Sequence, residues 1–133
     1  MSSKRPAKRL TDEQVTAQLR SALVLLTTVG FRTGNRAIAG QMEALGLHLP
    51  DERRDAIEAV LGELDCTCYK GPHPPNHLSR EPETKWHRML HFVWKSSFFR
   101  GVPMYFKFCI RRESNKETLF VFSLHEDFGP EGD

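Results

Sequence analysis

The order of patterns along this chain predicts an α+β domain, with N-terminal helices packed on a small antiparallel β-sheet. Two observations carry that expectation. Apolar residues recur every three to four positions through residue 64, whereas from residue 86 they alternate or run together over short segments. The later segments are joined by short connections, which suit antiparallel neighbours because parallel ones need a long crossover. A chain of 133 residues that is 39% hydrophobic and 27% charged has the size and composition of one domain with a buried core.

The elements follow in order. Residues 1–10 form a basic arm carrying Lys4, Arg5, Lys8 and Arg9, read either as an unstructured cationic segment or as a phosphate contact. Residues 11–64 make the helical part. "TDEQ" at 11–14 is a capping box, with Thr11 as cap and Gln14 at the third helical position. Val15, Leu19, Ala22, Leu23, Leu26 and Val29 then recur at helical spacing, and Gly30 ends the run. A second helix is expected over about 33–45, with Ala37, Ile38, Met42 and Leu45 inward and Gly46 as terminator. A third follows with Asp51 as cap and Ile57, Val60, Leu61 and Leu64 as its buried stripe. Residues 65–85 are rich in Pro, His and Gly and form a loop.

Residues 86–125 are the sheet, built from strand-like runs near 85–94, 102–110 and 118–125, and 126–133 form an acidic tail. Strand side chains alternate between faces. In "VPMYFKFCI", Met104, Phe106, Phe108 and Ile110 therefore share an apolar face, and Tyr105, Lys107 and Cys109 share the other. In "TLFVFSLH" the same rule puts Phe120, Phe122 and Leu124 on the apolar face and Val121, Ser123 and His125 opposite. In "KWHRMLHFVW" it separates Trp86, Leu90, Phe92 and Trp94 from His87, Met89 and His91. If the less apolar sides coincide, Tyr105, Lys107 and His125 meet His87 and His91 in a patch of imidazoles near a cation. That combination suits acid–base chemistry on a phosphodiester. The alternative is an ordinary sheet whose outer face is polar because water covers it.

Net charge is only +2, yet Lys85, Arg88, Lys95, Arg100, Lys107, Arg111, Arg112 and Lys116 form a block opposed only by Glu113. Such a block suits a polyanion, and the alternative is a set of solvated hairpin loops. No apolar run approaches the roughly 20 residues that span a bilayer, and the basic start lacks the apolar centre of a signal peptide. No membrane association is expected. An odd count of three cysteines favours free thiols in a reducing compartment, which makes the cytoplasm the expected location. Cys66, Cys68, His73 and His77 are all capable zinc ligands, but C-x-C is not the usual knuckle spacing and the intervening prolines restrain closure. A zinc-stabilised interaction domain is thus the weaker alternative.

Short motifs in order along nearly the whole chain carry a resemblance. "KRPAKRL", "ALGL", "DCTCYK", the Trp of "KWH", "MYFKF" and "FSLH" together resemble the MqsR-type mRNA interferase toxins of the RelE-like superfamily. That family has a basic start, an "LGL" after a helix, "D-x-F-Y-K" ending the helical part, "W-Q", a "Y-L-K-I" strand and a final "S-F-K". The resemblance implies a RelE-like fold and a metal-independent endoribonuclease toxin without cofactor. Its partners would be mRNA and a cognate antitoxin protein. The family's active-site lysine falls on Lys70, the glutamine after the tryptophan on His87, the strand tyrosine on Tyr105 and the lysine ending the last strand on His125. Lys107, Arg88, Arg111, Arg112 and Lys95 would then be RNA-binding. The "D-V-Y" after the family's tryptophan is replaced here by Arg88, Met89 and Leu90, and the loop after Lys70 is longer. A non-catalytic nucleic-acid-binding module using the same basic sheet is the other reading of these residues.

Overall fold

The computed structural model describes residues 10–72 and 89–127. The first helix, α1, spans Asp12–Thr28 and starts where the capping box predicts. Thr11 Oγ1 accepts from the Gln14 amide at 3.2 Å, and Gln14 Oε1 accepts from the Thr11 amide at 2.9 Å, so two otherwise orphaned donors are satisfied. Val15, Leu19, Ala22 and Leu26 supply its buried stripe. Gly30, at φ +108°, takes the chain out of the helix.

The next segment departs from the sequence expectation. Residues 31–33 do not begin the second helix; Phe31–Thr33 form a short strand, β1, and α2 spans Ala37–Ala44. Three residues are too few for a periodicity to reveal them, and pairing with the last strand decides their conformation. Gly34 then crosses the sheet edge, donating its amide to the Val121 carbonyl at 2.8 Å. A Cβ at Gly34 would stand 2.3 Å from the Phe122 ring, so any side chain here would have to displace that buried ring. Asn35 Oδ1 accepts the Ile38 amide at 3.2 Å and supports the start of α2. Gly46, at φ +80°, ends α2 as expected.

Helix α3 spans Pro50–Glu63 and is capped by Leu49 instead of Asp51. Proline at the first helical position is already in helical φ and lacks an orphan N–H. The Glu52 carboxylate accepts the amides of Leu49 at 2.9 Å and His48 at 3.0 Å, and these bonds hold its pKa below the ordinary value. Residues 66–72 depart from the expected loop: a single turn of 3-10 helix, Cys66–Cys68, leads to a strand, β2, Tyr69–Pro72, whose conformation is decided by antiparallel pairing with the strand that follows residue 89. The remaining strands are β3, Leu90–Ser96, β4, Val102–Glu113, and β5, Lys116–Glu126.

Sheet order is β1-β5-β4-β3-β2. The β2 to β5 neighbours are antiparallel, as expected, but β1 runs parallel to β5, so the sheet is mixed. The three helices pack on one face. Leu90, Phe92, Met104, Phe106 and Phe108 meet Val15, Ile38, Met42 and Ile57 there in the main core.

One strand breaks the simple alternation. Lys107 pairs with Ser123 but Phe108 pairs with Val121, which leaves Phe122 as an extra residue in β5. The β-bulge reverses which residues face inward. Leu119, Val121 and Leu124 join the helix-side core. Phe120 and Phe122, expected on that face, instead cluster with Met89 and Cys109.

The far end of α3 is tied to the sheet by one carboxylate. Glu63 accepts from Trp94 Nε1 at 2.8 Å, Ser96 Oγ at 2.7 Å and the Phe98 amide at 2.7 Å. Burial alone would raise its pKa, but these hydrogen bonds outweigh it and the value lies below 4.5. A carboxyl lowered in the folded state gives stability that is full above its unfolded value and is lost as pH falls through the folded one. Thermal midpoints measured from pH 7 down to pH 3 should therefore fall more steeply for the wild type than for Glu63→Gln. Parallel curves would show that the charge contributes nothing. Glu63→Ala should cost about 1–3 kcal/mol, because it strands buried donors.

Among the described residues no helix is long and apolar enough to cross a membrane.

Candidate active site

The face of the sheet turned away from the helices carries the candidate chemistry. Tyr105 on β4 lies directly across from His125 on β5, and Lys107 lies between His91 on β3 and Ser123 on β5. The extra residue at Phe122 lets Ser123 and His125 share this face with Tyr105 and Lys107, while Leu119 and Val121 still reach the core.

Three rings stack across the strands. His91 and Tyr105 have centroids 5.5 Å apart at 24°, and Tyr105 and His125 lie 5.0 Å apart at 12°. These are offset-stacked arrangements, and all three rings are half-buried. The His125 Nδ1–H donates to the Glu126 carbonyl at 2.8 Å. A carbonyl can only accept, so in the neutral ring the proton is on Nδ1 and the lone pair is on Nε2. That leaves Nε2 available to accept a proton.

Lys107 is half-buried, and desolvation lowers its pKa from 10.5. Among the described residues no carboxylate pairs with it. An ammonium held partly out of water without a counter-ion is costly, and such groups concentrate where a site must bind an anion or move a proton.

The other sequence-derived residues divide. Lys70 is the inserted residue of a second bulge, in edge strand β2, and is exposed; Gly71 follows it opposite His91. It stands one strand beyond the ring row, and so borders the patch. Lys95 is exposed and falls on the same face as His91 by alternation along β3. Arg111 is close enough to Cys109 to oppose the rise of its thiol pKa, which burial pushes up to about 11. Arg112 pairs across from Glu117 near the β4–β5 turn, on the opposite side from Arg111. The structure thus parts two arginines that the sequence grouped together. His87 and Arg88 lie outside the described residues, as do His73, His77, residues 1–9 of the basic arm and most of the acidic tail.

Alternation puts His91 on the less apolar side of its strand, but the family resemblance assigns the catalytic position to His87 and passes over His91. Cross-strand register, which no local pattern encodes, seats His91 beside Tyr105 and Lys107. Cys66 and Cys68 are half-buried thiols. Asp65 accepts from Thr67 Oγ1 and the Thr67 amide, bonds that lower its pKa. Among the described residues no group of three or more His, Cys, Asp or Glu side chains is placed to hold a metal ion. No family model, curated protein or solved structure matches the chain.

Proposed function

We propose that the chain is a metal-independent endoribonuclease of the mRNA-interferase type, cleaving single-stranded mRNA by attack of a ribose 2′-OH. The observation that carries this reading is the stacked row of His91, Tyr105 and His125 with the half-buried Lys107 beside it. The resemblance to MqsR-type toxins supports it independently and adds a cognate antitoxin and a cytoplasmic setting.

The chemistry needs a base for the 2′-OH proton, an acid for the 5′-oxygen and positive charge on the phosphorane. The 2′-oxygen bonds to phosphorus as the phosphorus–5′-oxygen bond breaks. One imidazole takes the hydroxyl proton and another gives a proton to the departing oxygen. The products are a 2′,3′-cyclic phosphate and a 5′-hydroxyl. His125 through Nε2 is one proton-transfer group, and His91 or His87 is the second. Lys107, with Lys70 at the border, neutralises the phosphoryl oxygens, and Tyr105 positions the 2′-OH or the phosphate.

A short single-stranded RNA incubated with the protein in excess EDTA tests the reading. Cleavage to cyclic-phosphate and 5′-hydroxyl ends is expected, and an all-2′-deoxy version should remain intact. Tight RNA binding without any cut by folded protein would replace the enzyme with a non-catalytic nucleic-acid-binding module.

A further inference from the structure

The ring row has an end. Beyond His125 the next strand in the sheet order is β1, but β1 pairs with β5 only from Leu119 to Val121. Among the described residues, β5 itself is therefore the sheet edge at the level of His125. The β5 amide at this edge, that of Leu124, donates to Gln41 Oε1 of α2 at 2.8 Å. Helix α2 contributes Ile38 and Met42 to the core, so it closes the edge on the helical side. On the outer side, one face of the His125 imidazole rests on Tyr105, and among the described residues no ring stacks on the other. The ring remains partly exposed.

We infer that this second face of His125 is a nucleobase-stacking position, which holds one base of a single-stranded RNA at the end of the row. The inference rests on the ribonuclease reading for the identity of its ligand. Stacking uses the face of the imidazole and proton transfer uses its Nε2 edge, so one side chain serves both without conflict. The Nδ1 bond to the Glu126 carbonyl fixes the ring plane, which gives an incoming base a preset surface at little entropic cost. The existing members of the row are nearly parallel, at 12° and 24°, and a base continues that order. A nucleotide fits better than another planar group because its phosphate finds the Lys107 ammonium along the same face. Stacking tolerates every base, so this position contributes affinity more than sequence choice.

Three proteins separate the two uses of the ring: wild type, His125→Ala and His125→Phe. The probes are short single-stranded RNAs with 2-aminopurine at successive positions and 2′-fluoro riboses that block attack. Wild type and His125→Phe should quench the fluorophore at one position, whereas His125→Ala should not. The alanine variant should also bind about tenfold to hundredfold more weakly, the usual range for one lost stacking contact. On unmodified RNA both variants should lose cleavage, since phenylalanine restores the face but not Nε2. Equal affinity and equal quenching in all three proteins would overturn the inference and confine His125 to proton transfer. Weak binding and no quenching by His125→Phe, with its thermal midpoint unchanged, would overturn it too. Quenching by a wild type that never cuts unmodified RNA would leave the stacking position standing and remove the nuclease.

Discussion

Replacing His125 with alanine should slow RNA cleavage at saturating substrate by about 10²–10⁴-fold, the usual worth of a positioned proton-transfer group. Single-turnover rates are the right measurement, because they separate chemistry from any change in affinity. The ring sits at an edge of the sheet and is partly exposed, so the thermal midpoint should barely move. The large effect follows from geometry. The Glu126 carbonyl holds the proton at Nδ1 and leaves Nε2 as the acceptor, while Tyr105 fixes the ring from one side. A variant that still cuts within a few-fold of the wild-type rate would remove His125 from the mechanism.

Lys107→Met should act in opposite directions on stability and activity. Burial lowers the pKa of Lys107 in the folded chain, so the unfolded chain holds that proton more tightly. The penalty is complete below the folded pKa and is relieved as pH rises from there towards 10.5. At pH 7 the methionine variant escapes it, and a gain of about 0.5–2 kcal/mol is expected. Cleavage should fall by about 10²–10³-fold, as when one donor to a developing oxyanion is removed. Urea titrations at pH 7 and at pH 10 check the first half, because the advantage of the variant should shrink at the higher pH. A destabilised Lys107→Met would mean that favourable contacts hold the ammonium and that its burial is not a cost kept for function.

Local rules made much of the fold legible. The start of α1 is written in Thr11 and Gln14, whose two hydrogen bonds involve only neighbours in the chain. The ends of α1 and α2 are marked by Gly30 and Gly46, whose backbone takes φ +108° and +80°. The core faces of β3 and β4 were equally plain, because unbroken alternation sends Phe92, Phe106 and Phe108 to one side. Where two long-range surfaces had to agree, local rules failed. Strand β1 exists because Phe31–Thr33 pair with β5, and nothing within three residues can announce a partner that lies far along the chain.

The candidate site divides the same way. Sequence alone established that Tyr105 and Lys107 share a face and that His91 and His125 belong to the less apolar sides of their strands, since a period of two is intrinsic to an extended chain. Only the tertiary structure decided that those sides coincide, and that His91 stands beside Tyr105 while Arg112 is turned away. Register is set by packing summed over whole strands, and a single inserted residue reverses every side chain beyond it. Phe122 is that residue in β5: it sends Leu119 and Val121 to the core while His125 stays beside Tyr105.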